Sequence, residues 1–195
     1  MEFLIASHNL KKREELHRIL SPLGVEVFLD FEKGVVLSAV EETGDTFEAN
    51  AMQKAVSGCA ESMMPCIADD SGLCVDALDG KPGVYSARWL GEDTPYAEKI
   101  RVMLEMMKDV PGPARTARFV SAAACVFPDG RRFTVRGVCE GAIGFAPRGE
   151  NGFGYDPIFM VGEKSFAELS AEEKDAVSHR GNSLRALAEK LKEYL

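Results

Sequence analysis

Two long β-patterned runs, 116–127 and 132–143, flank the turn Pro128-Asp129-Gly130, and they constrain the fold more than any other stretch. Apolar and β-branched runs separated by a short Gly-containing turn form an antiparallel hairpin. Upstream the pattern differs. Residues 2–6 are a short apolar strand, and Leu16, Ile19, Leu20 and Leu23 then recur at helical spacing with Leu10 at the front of the stripe. Asn9 is placed to cap that helix, and Ser21-Pro22 with Gly24 ends it. Val25–Phe28 reads as the second strand. A helix over 47–61, capped by Asp45 or Thr46, has Ala49, Met52, Ala55, Val56, Cys59 and Ala60 as its apolar face. Cys66-Ile67-Ala68 is a third strand, extended structure resumes at Leu73, and a helix follows over 95–108. Ser170 with Glu173 is a capping box, and a last helix follows Ser178. Alternating strands and helices followed by clustered strands predict a mixed-sheet α/β fold, and no linker or repeat divides residues 1–195.

The chain has 195 residues, 46% hydrophobic and 28% charged, which is the profile of a soluble globular protein. No apolar run approaches the ~18–20 residues needed to span a bilayer, and the start of the chain reads as a strand, not a signal peptide. The five cysteines, Cys59, Cys66, Cys74, Cys125 and Cys139, form no C-x-x-C pair and do not cluster with the three histidines. Reduced, buried thiols in a cytoplasmic protein are the expectation. A formal net charge of −8 argues against binding duplex nucleic acid, which needs a basic face. An anionic ligand would oblige so acidic a chain to gather its cations locally and recruit a metal.

Five segments carry chemistry. Asp69-Asp70-Ser71-Gly72 ends the third strand with two adjacent carboxylates, suited to holding Mg²⁺ or activating water; a solvated acidic turn is the alternative. Ser7-His8-Asn9-Leu10-Lys11-Lys12 lies where a strand yields to a helix, so backbone N–H groups and Lys12 face any bound anion. Glu41-Glu42-Thr43-Gly44 lies before Asn50 and Lys54. One of these glutamates with one aspartate of the acidic pair makes a modest Mg²⁺ site completed by substrate phosphates, and Asn50 and Lys54, at i,i+4, can reach a phosphate together. In Gly152-Phe153-Gly154 the glycines leave room for a flat group on the Phe153 ring, and such stacking is worth about 1–3 kcal/mol per base. Lys174 and Ser178-His179-Arg180-Gly181 form a dense donor cluster for base carbonyls or phosphate.

In this order, and with Pro82-Gly83-Val84-Tyr85-Ser86-Ala87-Arg88 and Tyr155-Asp156-Pro157, the set resembles the inosine triphosphate pyrophosphatase family over nearly the whole chain. One departure is Ser7-His8-Asn9, where relatives more often have Thr-Gly-Asn. The resemblance implies an elongated fold of two lobes with the active site in the cleft between them, and a homodimer. It implies Mg²⁺-dependent hydrolysis of ITP, dITP and XTP to the monophosphate and pyrophosphate. Ser7, His8, Asn9, Leu10, Lys11 and Lys12 then surround the triphosphate with Lys54, and Ser71 contacts substrate. Glu41 or Glu42 holds the metal with Asp70, which is also the proton acceptor; Asp69 either binds a second metal or orients its neighbours. Phe153, Gly154, Tyr155, Asp156, Lys174, His179 and Arg180 surround the nucleotide, chiefly its base. A related pyrophosphatase for pyrimidine nucleotides and a non-catalytic nucleotide-binding module are the competing readings.

Overall fold

A computed structural model describes residues 2–7 and 9–194. Its elements run β1 (Glu2–Ile5), α1 (Leu10–Leu20), β2 (Glu26–Phe28), α2 (Phe47–Ser62), β3 (Cys66–Val75) and α3 (Tyr96–Met106). Then come β4 (Thr116–Val126), β5 (Arg132–Ile143), β6 (Phe159–Val161), β7 (Lys164–Ser165), α4 (Ala171–Val177) and α5 (His179–Leu191). The strands hydrogen-bond in the order β2-β1-β3-β4-β5-β6-β7. β1 runs parallel to both neighbours, with Phe3 opposite Val27 and Ile5 opposite Ile67. β6 is antiparallel to β5 and β7. The sheet is mixed, as the sequence predicts. No helix among the described residues is long and apolar enough to cross a membrane.

The chain falls into two units. The first holds the residues up to Asp70, Ser121–Gly137 and those from His179 on. Asn9 caps α1 by accepting the Lys12 N–H at 3.2 Å, and Gly24, at φ +78°, closes the turn after it. Leu16, Ile19 and Leu20 of α1 share a core with Phe3, Ile5, Val27, Phe127, Leu184, Leu187 and Leu191. Leu10 does not join it. As the first residue of the helix it is 66% exposed.

Thr46 caps α2, accepting the Ala49 N–H at 3.1 Å. The buried face of α2 is Phe47, Asn50, Ala51, Ala55, Gly58 and Cys59, and Val56 and Ala60 are exposed. This face is rotated from the expected one. Close approach explains the rotation: a Cβ on Gly58 would come within 2.6 Å of the Cys66 sulfur and 2.8 Å of the Ala6 Cβ. A seam of Ala and Gly lets the helix settle on the sheet, and that roll carries Asn50 inward.

The second unit holds Ser71–Val120 and Val138–Ser178. Its core is built from Leu73, Ile100, Met103, Met107, Phe119, Phe159 and Phe166, the last three in mutual ring contact. Arg115 is 2% exposed and donates to the carbonyls of Ile143, Met107, Val110 and Gly144, so it ties the end of α3 to the end of β5. The cysteines form no disulfide; four are buried and Cys74 is partly exposed.

Candidate active site

β3 continues as one ten-residue strand through the acidic pair, which excludes the turn and places the carboxylates mid-strand. Successive side chains on a strand point to opposite faces. Asp69 and Asp70 are both buried, at 1% and 4% exposure, and each has its own set of partners. Asp69 Oδ2 accepts from Nε and Nη2 of Arg180 at 3.1 and 3.0 Å and lies 3.5 Å from the Lys12 ammonium. Arg180 Nη1 donates to Glu15, which α1 places one turn after Lys12. Asp70 Oδ2 accepts from the Asn50 amide at 3.1 Å, and its Oδ1 lies 3.4 Å from Lys54 Nζ. Lys54 also donates to Glu42 at 2.6 Å.

These surroundings drive the two neighbouring carboxyls apart. Burial opposes the charge on both. At Asp69 the cations Lys12, Arg180 and Lys54 outweigh burial and hold the carboxyl far below its ordinary range. At Asp70 burial, helped by the Glu42 charge, wins over Lys54, Lys12 and the Asn50 hydrogen bond, and the carboxyl is raised. Burial lowers Lys12 despite Asp69. Burial also works against the Lys54 ammonium, but Asp70, Asp69 and Glu42 together raise it. Pairs of titratable groups pushed in opposite directions mark the division between a fixed anion and a group poised to take a proton.

The donor set suits a hard divalent cation. Asp70 and Glu42 are two carboxylates joined through Lys54, and on the other side of the strand Asp69 Oδ1 is a buried oxygen with no hydrogen-bond donor among the described residues. No cluster of three or more His, Cys, Asp or Glu side chains with metal-binding geometry occurs among the described residues. Few protein ligands and several waters or substrate oxygens are what Mg²⁺ accepts.

The second unit holds a separate polar cluster. Lys174, 5% exposed, donates to Asp156 Oδ2 at 2.8 Å and lies 4.9 Å from the centre of the Phe153 ring. The same Oδ2 accepts the Phe153 N–H at 2.8 Å. Gly152 and Gly154 adopt φ of +71° and +66°, and a Cβ at Gly152 would strike Asp156 Oδ2 at 2.1 Å. The half-exposed Phe153 ring is thus fixed from below by an ion pair.

The Ham1 family model matches residues 3–190 of the chain. The chain belongs to the Ham1 family. A protein of Nocardia farcinica named dITP/XTP pyrophosphatase is 48% identical over 188 residues, covering 94% of this chain and 91% of its own. A solved HAM1 protein from Coxiella burnetii superposes with a TM-score of 0.87 at 38% identity, covering 99% of each chain. A solved nucleoside-triphosphatase, dITP/XTP pyrophosphatase from Mycobacterium abscessus, has a TM-score of 0.74 at 47% identity and covers 96% of this chain and 98% of its own. The family resemblance drawn from the motifs is borne out.

Within this Ham1-family chain the predicted residues sort themselves. Lys12, Lys54, Glu42, Asp69, Asp70 and Arg180 come together in the first unit, around the start of α1, α2 and β3. Glu41 is exposed, so Glu42 is the glutamate that reaches the cluster. Lys11 and Leu10 face outward, Lys11 opposite Glu14 at 3.9 Å. Ser7 is half-buried and its hydroxyl accepts the Asn9 N–H at 3.3 Å; His8 lies outside the described residues. His179 is buried in the first turn of α5. Tyr155 is 2% exposed and donates its hydroxyl to the Ser86 carbonyl, while Ser71 is half-buried.

Sequence reasoning missed Glu15 and Arg13 and gave Asn50 another role. Glu15, one turn after Lys12, faces Arg180. Asn50, expected to reach a phosphate beside Lys54, is instead fully buried, with its amide committed to Gly44 and Asp70. Arg13 lies in no motif, yet it donates to the Ser7 carbonyl and pairs with Asp30 at 2.9 Å. Only the Ala51, Ala55 and Gly58 spacing hinted at any of these, since a seam of small residues marks the face that goes inward.

Proposed function

We propose that this protein hydrolyses deaminated purine nucleoside triphosphates, ITP, dITP and XTP, to the nucleoside monophosphate and pyrophosphate. The observation that carries the reading is the gathering of Lys12, Lys54 and Arg180 against the buried Asp69-Asp70 pair and Glu42 at the start of α1. The names of the curated relatives and the full-length family match support the substrate class.

Asp70 takes the proton of a water as it attacks the α-phosphorus, and the bond to the β-phosphate bridging oxygen breaks. Lys12 and Lys54 stabilise the charge that passes to pyrophosphate. Ser7, Asn9 and the first-turn N–H groups of α1 hold the phosphate chain. Asp70 and Glu42 would hold Mg²⁺, which when bound neutralises phosphoryl charge as a Lewis acid, and Asp69 either binds a second ion or orients its neighbours. Arg180, with its donors on Asp69 and Glu15, acts by keeping Asp69 ionised.

Phe153 and Gly154 offer a stacking surface, with Lys174, Asp156 and Tyr155 behind the base-reading role. A 6-oxo purine presents an acceptor where adenine has an amino donor. A site whose buried donor loses its partner rejects the wrong base by about 10⁴-fold. The active protein is proposed to be a cytoplasmic homodimer that meets neither membranes nor duplex nucleic acid.

Pyrophosphate release from dITP, ITP, XTP, GTP and ATP, with and without Mg²⁺, tests the assignment. The expected result is turnover of the first three alone, abolished by chelation. Preference for ATP or GTP would overturn it.

A further inference from the structure

We infer that Asn50 is the positioning residue for Asp70, setting which carboxylate oxygen faces the reacting water. The inference rests on Asp70 being the proton acceptor. Asn50 is fully buried, and both ends of its amide are committed. The Gly44 N–H lies 2.8 Å from Oδ1, and an N–H can only meet an acceptor, so this contact fixes the amide orientation. The NH₂ group is therefore turned to Asp70 Oδ2, at 3.1 Å.

Among the described residues Asn50 and Lys54 bond Asp70, and they do different work. Lys54 carries a full charge and is shared with Glu42, so it is a cation that a phosphate can also claim. Asn50 is neutral. It takes one lone pair of Oδ2 without neutralising the carboxylate, and leaves Oδ1 on the side of Lys54. A buried base held by a rigid neutral donor keeps its aim when substrate arrives. A misplacement of about 1 Å costs on the order of 10²-fold in rate.

The tether extends to the metal-binding loop. Gly44 follows Glu42 by two residues and has no room for a side chain: a Cβ would lie 2.7 Å from both Asn50 Oδ1 and the Ala49 Cβ. One amide thus holds the loop bearing Glu42 on one end and Asp70 on the other. Close packing of the Ala51, Ala55 and Gly58 seam keeps the amide at that depth. Asn50 is for this reason out of reach of phosphate, and its role is the geometry of the base.

The test compares steady-state hydrolysis of dITP by the parent, Asn50→Leu, Asn50→Ser and Asp70→Asn, with thermal unfolding of each. Asn50→Leu keeps the shape and removes both polar ends; Asn50→Ser leaves space for a water to bridge Gly44 and Asp70. The expected result is a fall in kcat of about 10- to 100-fold for Asn50→Leu with KM within about threefold, and partial recovery in Asn50→Ser. If Asn50→Leu fails to fold, Asn50→Ser decides on the same criterion of kcat against KM. Unchanged kcat in the folded variants beside an inactive Asp70→Asn would overturn the inference. So would a rise in KM alone, which would make Asn50 a substrate contact. Turnover by Asp70→Asn would instead remove the reading on which it rests.

Discussion

At the scale of the residue, the central feature is a pair of adjacent acids given opposite characters by one strand. Asp69→Asn removes the counter-charge of two buried cations, Lys12 and Arg180. Breaking a buried pair on one side costs about 3–5 kcal/mol, and urea unfolding at neutral pH should show a loss of that size. The sign of the acid dependence follows. The folded Asp69 carboxyl sits well below its ordinary 3.8, so its stabilisation is complete above that value and is lost as pH falls toward the folded pKa. The acid limb of stability against pH is therefore expected to be shallower in Asp69→Asn than in the parent; equal slopes would contradict the assignment. Thiols supply a second check. Burial pushes Cys139 up to about 11, Cys125 to about 12 and Cys66 further still. At neutral pH these groups are thiols and not the nucleophilic thiolate. Ellman's reagent should modify the partly exposed Cys74 first and the others only on unfolding.

At the scale of the element, helix starts aim the chemistry, and glycines let the helices come close enough to do so. A Cβ on Gly137 of β5 would lie 2.3 Å from both the His179 carbonyl and the Ser183 N–H, the first turn of α5. Gly137→Ala should push that turn away and with it Arg180. Overpacking of this kind costs about 1–3 kcal/mol, and the variant is expected to lose catalytic efficiency along with thermal stability; parent-like kinetics would show that α5 does not need this seat. The elements differ in how plainly their sequences announced them. Asn9, and Asp45 or Thr46, were readable as caps because a short polar side chain before an apolar periodicity satisfies the first free N–H groups, and of the second pair it is Thr46 that caps. The rolled face of α2 was not, since Val56 and Met52 are the larger apolar residues and the packing decision fell to Ala51, Ala55 and Gly58. β6 and β7, three and two residues long, carry no periodicity from which a strand could be read.

At the scale of the whole molecule, the acidic balance shapes what the chain can bind. With a net charge of −8 the protein holds its key cations Lys12, Lys54 and Arg180 against named acids, not on an open basic face. Duplex DNA should therefore cause no mobility shift at physiological salt; salt-sensitive binding would contradict this. The clusters were legible in the sequence as segments: Ser7 to Lys12, Glu41 to Lys54, Asp69-Asp70 and His179-Arg180 in the first unit, Gly152 to Asp156 and Lys174 in the second. Residue types that suit phosphate, metal and a flat base announce themselves. Pairwise geometry does not, and so the choice of Glu42 over Glu41, the hold of Arg180 on Asp69 and the inward turn of Asn50 needed coordinates.

The most direct measurement is dITP turnover and dITP binding by Asp70→Asn alongside the parent protein. With the base removed and the cations of the first unit in place, turnover should fall by about 10²- to 10⁴-fold while the dissociation constant stays within a few-fold. Turnover within tenfold of the parent would contradict the account.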